Sequence, residues 1–244
     1  MRMRTPVAAY GKKISPYLRL AAAIVFIILA ALAAGRIASW HKLDESRRLL
    51  TLVNPWNPVS ETGYTTKLVN AEDGFQVDKA CADALRLMLA DCRGAGCRPQ
   101  IETAYRSVDD QLVLYDEAVQ QRVDKGQSPE DAEAEVARII AEPGRSEHEL
   151  GLAVDIVDAD QPALEEQQAE TPTGRWLEEN AWKYGFVQRY PRDAAEITGF
   201  QWHPWHYRFV GEDVAGNIHA LGITLEEYLS LFYSDEAAVV YDRS

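Results

Sequence analysis

The segment SEHELGLAVDIV, residues 146–157, restricts the fold more than any other part of the chain. It places His148 and Asp155 seven residues apart, with small and apolar residues between them. Its second half alternates as a strand does, so Asp155 points away from the face formed by the apolar residues. An imidazole beside a strand and a carboxylate within it are metal-binding side chains, and two ligands need a third from elsewhere in the chain.

A second segment, QWHPWHYRFVG at residues 201–211, offers that third ligand. With His206 the set becomes two imidazoles and one carboxylate, which suits zinc and leaves a fourth position for water. Such a site activates water and polarises a carbonyl group, as amide hydrolysis requires. The spacing alone is equally compatible with an exposed loop histidine, a paired carboxylate and a strand histidine.

The first 48 residues differ from the rest in charge and hydropathy. They carry nine Lys/Arg and two Asp/Glu, and a basic stretch precedes an apolar run that begins at residue 20. This order predicts a basic cytoplasmic head (residues 1–19), a transmembrane anchor (20–40), a stalk (41–51) and an extracytoplasmic domain (52–244). A cleaved signal segment is the alternative interpretation of the same run, because its alanines resemble a cleavage site. Either way the domain is exported.

The exported part is strongly acidic. Residues 49–244 hold 16 Lys/Arg against 36 Asp/Glu. This balance argues against nucleic acid as a partner, since phosphate binding relies on Lys and Arg. We expect the domain to act as a monomer.

Three cysteines in an exported chain permit one disulfide. Cys81 and Cys92 lie about 16 Å apart along a predicted helix, too far to be joined. Cys92 and Cys97 bracket a short loop, Arg-Gly-Ala-Gly, that could close. The alternative to this bridge is three buried free thiols.

Periodicity and capping residues predict the helices and strands. The predicted helices are residues 77–92, 176–184 and the stretches after Ser107, Ser128 and Thr224; the predicted strands are 100–105, 151–157, 186–187 and 205–210. The apolar residues expected to form the buried face of the helix after Ser107 are Val108, Leu112, Tyr115 and Val119. Residues 158–173 are acidic and polar with two prolines, which predicts an exposed loop.

Three motifs in this order resemble a known peptidase family. TAYRSVDDQ matches Y-R-S followed by Gln, SEHELGLAVD matches S-x-H-x-x-G-x-A-x-D, and WHYRFVG matches W-H-x-R-x-V-G. Together they resemble the D-alanyl-D-alanine carboxypeptidases of vancomycin-resistance type, the VanY-like zinc D,D-peptidases of the LAS superfamily. The resemblance covers residues 52–211, most of the exported part.

The resemblance implies an α+β fold in which a small antiparallel sheet carries a zinc site and is covered by helices. The apolar run places one N-terminal transmembrane helix before this fold. The implied ligands of Zn²⁺ are His148, Asp155 and His206. Arg106 is implied to be catalytic, because a guanidinium can pair with a carboxylate or steady an oxyanion. The implied contacts to the peptide end are Arg106, Ser146 and Gln111.

One residue departs from the family pattern. The family usually has a glutamate, the general base, three positions before the last zinc histidine, and here that position is His203. A neutral imidazole can accept a proton, and it can also bind zinc as a fourth ligand and close the site. Three outcomes are therefore open: His203 is the catalytic base, the protein is an inactive binder, or the base is recruited from Glu147, Glu149 or Glu196.

The resemblance implies a membrane-anchored zinc D,D-carboxypeptidase that removes the terminal D-alanine of peptidoglycan stem peptides outside the bacterial cytoplasmic membrane. Its expected partners are the stem peptide and, through the N-terminal segment, that membrane. Two alternatives are a catalytically silent peptidoglycan-binding domain with a structural metal and a dipeptidase acting on free D-alanyl-D-alanine.

Overall fold

The computed structural model describes residues 47–233. The predicted basic head, the predicted anchor and most of the predicted stalk lie outside the described residues. Within residues 47–233, no helix combines the length and the apolar composition that a membrane crossing requires.

Two antiparallel sheets and a set of helices make up the described part of the chain. The strands are β1 (Leu68–Asn70), β2 (Gln76–Asp78), β3 (Pro99–Thr103), β4 (Ala153–Asp158), β5 (Phe186–Tyr190) and β6 (His203–Phe209). The α-helices are α1 (Lys79–Gly94), α2 (Val108–Asp124), α3 (Pro129–Val136), α4 (Pro172–Asn180), α5 (Ala195–Thr198), α6 (Glu212–Leu221) and α7 (Leu225–Phe232). Short 3₁₀ turns occur at Val59–Glu61, Glu147–Leu150, Glu166–Glu170 and Ala181–Tyr184. The predicted α+β class is confirmed.

The register of the larger sheet gathers polar side chains around one residue. Its strand order is β3-β4-β6-β5, and each pairing is antiparallel. Asp155 of β4 lies opposite His206 of β6, and on the other side it pairs with Thr103 of β3, after a bulge that follows Ile101. Because directly opposed residues have Cβ atoms about 5 Å apart, side chains of three strands meet at Asp155.

The main core lies between α1 and one face of the central strands. It includes the fully buried Leu85, Met88, Leu89, Val154 and Tyr207. All six residues of β4 are buried, so this strand is covered on both faces. The face opposite the core is the one that carries Asp155.

A second, smaller core joins the two ends of the described chain. Leu50 and Leu52 belong to the same buried cluster as Leu225 of α7. Just before them, Arg48 forms an ion pair of 3.0 Å with Asp78, the residue that caps α1. Packing of the domain therefore begins on the N-terminal side of residue 52, inside the segment predicted to be a stalk.

The three predicted helix caps are confirmed. The side chains of Ser107, Ser128 and Thr224 accept backbone N–H bonds at the starts of α2, α3 and α7. Each such bond satisfies a donor that the first helical turn leaves free. Local capping chemistry was therefore readable from the sequence.

The predicted buried face of α2 is confirmed at Tyr115 and wrong at Val108 and Leu112, while Val119 is partly buried. Val108 and Leu112 are 49% and 46% exposed, whereas Gln111 and Tyr115 are buried. The buried side is set by hydrogen bonds: Gln111 donates to the Ala141 carbonyl, and the Tyr115 hydroxyl donates to a carbonyl of α3. A polar residue with buried partners thus displaces the apolar stripe from the interior.

The predicted loop at residues 158–173 is more ordered than its composition suggests. Gln168 is buried and accepts the backbone N–H of Asp158, while its amide donates to the Ala163 carbonyl at 2.8 Å. The Asp158 carboxylate accepts the Thr173 hydroxyl at 2.7 Å. Residues 160–167 are exposed as predicted, and the two ends of the segment are folded around buried polar groups.

All three cysteines are free thiols in the structure. Cys81 and Cys92 are buried, and burial raises the pKa of each thiol to about 12. Cys97 is only partly buried. The suggested bridge between Cys92 and Cys97 is not formed.

Candidate active site

Three buried side chains from separate elements converge on one point. His148 comes from the Glu147–Leu150 turn, Asp155 from β4 and His206 from β6. Asp155 Oδ2 lies 3.2 Å from His148 Nε2, and Oδ1 lies 2.8 Å from His206 Nδ1. One possible ligand atom from each residue lies within 4.8 Å of the others. The structure thus brings together the residues that the sequence singled out as metal ligands.

The turn before β4 sets the separation of His148 and Asp155. Gly151 ends the turn with φ 69°, a left-handed conformation that glycine adopts without steric cost. A Cβ atom at this position would lie 2.9 Å from the backbone nitrogen of Asp78. Glycine therefore lets the chain pass close to the start of α1 and enter β4 with Asp155 directed at the site.

Each histidine is held through its second ring nitrogen. His148 Nδ1 donates to the Ala104 carbonyl at 2.8 Å, which leaves Nε2 with its lone pair. His206 Nε2 lies 3.4 Å from a carboxylate oxygen of Glu147, so Nδ1 is the nitrogen that faces Asp155. Bonds of this kind orient metal-binding imidazoles. Two imidazole nitrogens and one carboxylate oxygen form a donor set that fits zinc.

The electrostatics of the site favour the metal-binding forms of Asp155 and His148. Burial alone would raise the pKa of the Asp155 carboxyl, but His148 and His206 beside it hold that pKa below its ordinary value. Burial also lowers the pKa of His148. For His206, burial alone would lower the pKa of the ring, but the hydrogen bonds to Asp155 and Glu147 outweigh burial and raise that pKa. An ionised carboxylate and a neutral imidazole are the protonation states that bind a metal ion.

The converging side chains open onto a cavity of about 350 Å³. All the residues that the sequence assigned to the site line it, namely Arg106, Gln111, Ser146, His148, Asp155, His203 and His206. Apolar side chains form much of the remaining wall, among them Leu114, Ile139, Ile140, Phe200 and Trp205. A concave apolar surface with a few placed polar groups is typical of a small-ligand site.

Arg106 is fixed by neighbouring side chains. Its Nη1 donates to Gln111 Oε1 at 2.8 Å and its Nη2 to Thr103 Oγ1 at 3.4 Å. The Gln111 amide in turn donates to the Ala141 carbonyl at 2.7 Å. Both ends of this amide are therefore engaged within the protein, which makes Gln111 a support for Arg106. Its contact with a peptide, and that of the buried Ser146, stay predictions.

His203 lies in the cavity wall beside the three converging residues. Its ring stacks on Trp205, with centroids 4.8 Å apart, and meets the edge of Tyr190 at 5.4 Å. Its Nε2 is buried and has no hydrogen-bond partner within residues 47–233. Burial and the nearby His206 lower the pKa of His203 to about 4. It does not belong to the metal-binding group, so that group has three protein ligands in the described structure.

Glu147 lies on the far side of His206 from the cavity. Its side chain is fully buried, and Oε1 accepts Arg189 Nε at 2.8 Å and Arg208 Nη1 at 2.7 Å. Burial alone would raise the pKa of this carboxyl, but Arg189 and Arg208 hold it below its ordinary value. A carboxylate bound in this way does not take a proton from water in the cavity. The suggestion that Glu147 is a recruited base is therefore wrong.

The other two suggested bases also lie away from the cavity. Glu149 is buried and accepts the Gly144 N–H at 2.8 Å, and burial raises its pKa. Glu196 lies on the exposed surface of α5. Among the described residues that line the cavity, the carboxylates are Asp155 and Glu102. Of the residues that the sequence suggested as the base, His203 is the one that lines the cavity.

Sequence analysis missed Tyr190 and the partners of Glu147. Tyr190 lines the cavity and stacks on His206, with centroids 4.8 Å apart. Arg189 and Arg208 are among the largest fully buried side chains. Arg208 belongs to the motif WHYRFVG, so its position carried a signal, whereas Arg189 sits in a short strand without a motif.

Known proteins are similar to this chain in sequence and in fold. A family model described as VanY: D-alanyl-D-alanine carboxypeptidase matches residues 74–212. A D-alanyl-D-alanine carboxypeptidase of Enterococcus faecalis is 38% identical over 187 residues, which cover 77% of this chain and 68% of that protein.

Two solved structures are similar as well. A mutant of the vancomycin resistance D,D-pentapeptidase VanY from a VanB-type cassette, in complex with Zn(II), is 37% identical with a TM-score of 0.68, covering 75% of this chain and 99% of that one. VanYB in complex with D-alanine-D-alanine is 38% identical with a TM-score of 0.68, covering 74% and 97%. With the motifs and the converging ligands in place, these matches show that the chain belongs to the VanY D-alanyl-D-alanine carboxypeptidase family.

Proposed function

We propose that the protein is a zinc-dependent D,D-carboxypeptidase that removes the terminal D-alanine of peptidoglycan stem peptides. The observation that carries the proposal is the convergence of His148, Asp155 and His206 on a cavity that also holds Arg106 and His203. Membership of the VanY family supports it. So do the related structures, of which one is in complex with Zn(II) and one with D-alanine-D-alanine.

The proposed zinc ligands are His148 Nε2, His206 Nδ1 and Asp155. Bound zinc supplies a Lewis acid that activates water and polarises a carbonyl group. Catalytic zinc sites use three protein ligands, whereas structural sites use four. His203 is not among the residues whose ligand atoms converge, and a set of three ligands favours an enzyme over a silent binding domain with a structural metal.

Arg106 is the proposed partner for negative charge on the substrate. Its guanidinium is oriented by Gln111 and Thr103 and lies in a partly buried position, where charge pairing is stronger than in water. It can pair with the terminal carboxylate of the peptide or with the carbonyl oxygen as that oxygen becomes negative. A charged anchor of this kind selects peptides with a free C-terminus.

His203 is the proposed proton acceptor. Its pKa of about 4 keeps the ring neutral at neutral pH, and its Nε2 is buried without a partner in the described structure. In this state Nε2 can take a proton from water and return it to the leaving amine. The stack on Trp205 holds the ring in place for this transfer.

The experiment is a product assay on the purified, zinc-loaded full chain. The substrates are a pentapeptide ending in D-alanyl-D-alanine, the same peptide ending in D-alanyl-L-alanine, and the free dipeptide D-alanyl-D-alanine. We expect release of one D-alanine from the first peptide, loss of release on chelation and its return with added zinc. Faster cleavage of the free dipeptide would establish a dipeptidase instead, and binding of the pentapeptide without release would establish a silent domain.

We also propose that residues 20–40 anchor the protein and leave the domain on the outer side of the bacterial cytoplasmic membrane. The support is the basic stretch before the apolar run, which favours a cytoplasmic N-terminus. Fractionation and protease treatment of intact spheroplasts test the proposal. A protein recovered in the cytosol would contradict it, and a shortened membrane-free chain would indicate a cleaved signal.

A further inference from the structure

Glu147 connects the imidazole of His206 to a buried group of charges. Its two oxygens have different partners: Oε1 accepts Arg189 Nε and Arg208 Nη1, at 2.8 and 2.7 Å. Oε2 lies 3.4 Å from His206 Nε2. The side chains of Glu147, Arg189 and Arg208 have no exposure to solvent. The carboxylate is therefore a fixed acceptor placed directly behind His206.

The two arginines are held in turn by distant parts of the chain. Arg189 makes two bonds to the Glu226 carboxylate of α7, at 2.8 and 2.6 Å. Arg208 Nη2 donates to the carbonyls of Leu49 and Thr51, at 2.9 and 2.8 Å. Two carboxylates thus face two guanidiniums, which balances the buried charge. Charge-assisted bonds in such a setting are strong, so Glu147 cannot turn toward the cavity without breaking several of them.

The two ring nitrogens of His206 have different surroundings. Nδ1 lies 2.8 Å from Asp155 Oδ1 and faces the proposed zinc position. For Nδ1 to offer its lone pair to a metal, the ring proton must sit on Nε2. Within residues 47–233, the side-chain acceptor that lies within hydrogen-bonding distance of Nε2 is Glu147.

We propose that Glu147 is a positioning residue: it accepts the Nε2 proton of His206, fixes the tautomer in which Nδ1 is free, and so sets the zinc affinity of the site. The inference rests on the proposed zinc site and does not require D,D-carboxypeptidase activity. Removing the second partner of a metal-binding histidine typically weakens metal binding about 10- to 100-fold.

The test compares Glu147→Gln with Glu149→Gln in the full chain. Both substitutions replace a buried glutamate of the same turn with its isosteric amide. The Glu149 carboxylate accepts the Gly144 N–H, whereas the carboxylates that His206 contacts within residues 47–233 are those of Asp155 and Glu147. Zinc affinity is measured by competition with a chromophoric chelator, on protein shown to be folded by circular dichroism. We expect Glu147→Gln to weaken zinc binding about 10- to 100-fold and Glu149→Gln to change it less than about 3-fold. Wild-type affinity in Glu147→Gln, or an equal loss in both variants, would overturn the proposal.

A second measurement keeps the proposal testable if Glu147→Gln does not fold. NMR of the zinc-loaded wild-type protein with isotope-labelled histidine reports which nitrogen of His206 carries the proton. We expect a slowly exchanging proton on Nε2 and the metal on Nδ1. The opposite assignment would sink the proposal. Neither measurement uses turnover, so failure of the proposed enzymatic activity would be recognised separately.

Discussion

The imidazole of His203 stacks on the indole of Trp205 with ring centroids 4.8 Å apart and an angle of 18° between the planes. His203 Nε2 is buried and has no hydrogen-bond partner among residues 47–233, and the residue lines the cavity that holds the candidate metal ligands. General-base catalysis needs a proton acceptor held in one orientation. The predictions for activity therefore begin with this residue.

Replacing His203 with alanine should lower kcat for D-alanine release about 10²- to 10⁴-fold, because the proton acceptor is lost while the substrate contacts remain. The matched control is Glu102→Gln, which alters the other cavity carboxylate outside the ligand group and should change kcat less than about 3-fold. The reverse result would assign the proton transfer to Glu102. His203→Glu should be active; if it releases D-alanine while the wild-type protein does not, the silent-domain alternative holds.

Stability should depend on pH through His203. Its pKa is about 4 in the folded protein against an ordinary value of 6.5, because burial disfavours the charged ring. The unfolded chain therefore binds more protons between these values, and the stabilisation from the neutral ring is complete above about pH 6.5 and lost as the pH falls toward about 4. In the metal-free protein, the difference in unfolding free energy between wild type and His203→Phe should fall by roughly 3 kcal/mol across this window. Urea titrations at several pH values give this difference, and a flat profile would contradict it.

Gln111→Ala should loosen Arg106, because Arg106 Nη1 loses its 2.8 Å partner. A hydrogen bond to a charged group contributes about 1.5 to 3 kcal/mol, so kcat/KM should fall at least about 10-fold, mainly through KM. Gln120→Ala on the same helix is the control, since the Gln120 amide donates to the exposed Asp124 and Gln120 does not line the cavity. Steady-state kinetics on the pentapeptide give kcat and KM for both variants. Equal kcat/KM in the two variants would refute a role for Gln111 in holding Arg106.

Glu226→Ala should destabilise the fold by about 3 to 5 kcal/mol, because it leaves the buried Arg189 without one of its two carboxylates. The control is Glu170→Ala, which breaks an exposed pair with Arg175 and should cost at most about 0.5 kcal/mol. Urea unfolding measures both values. A small effect of Glu226→Ala would mean that water or another group replaces the lost carboxylate.

Gly151→Ala should lower the free energy of unfolding more than Gly126→Ala does, although both glycines have positive φ. A Cβ atom at residue 151 would lie 2.9 Å from the Asp78 nitrogen, whereas nothing lies within 4 Å of one at residue 126. The left-handed backbone costs about 1 to 2 kcal/mol in both variants, and the extra loss in Gly151→Ala reports the close approach. Because this turn separates His148 from Asp155, we expect zinc binding to weaken only in Gly151→Ala.

The sequence predicted the metal-binding residues better than the buried charged residues that hold them in place. Gly151 and the alternation around Asp155 are local signals, so the ligand geometry followed from one motif and a second histidine segment. Glu147 meets Arg189 across 42 residues, and Arg189 meets Glu226 across a further 37. Ion pairs between residues so far apart in the sequence produce no periodic pattern, so the environment of Glu147 was not predictable.

Helix α2 shows where a prediction from the spacing of apolar residues fails. Apolar spacing favoured Val108 and Leu112 for the buried side, but the structure buries Gln111 instead. The polar side chain enters because Arg106 and the Ala141 carbonyl satisfy it, and such partners are visible only after folding. Periodicity counts apolar residues and cannot weigh a hydrogen bond to a distant strand or loop.

The partners of the two buried arginines also determine how far the chain can be shortened without loss of stability. Arg208 depends on the carbonyls of Leu49 and Thr51, and Arg189 depends on Glu226. All three partners lie outside residues 74–212, the span that the VanY family model matches. A fragment trimmed to that span would keep Glu147 but lose these three partners of the guanidiniums. The loss of Glu226 alone breaks a buried charge pair, which costs about 3 to 5 kcal/mol. The span of the family model is therefore narrower than the part of the chain that folds as a unit, and a shortened protein must keep both flanks to retain its stability.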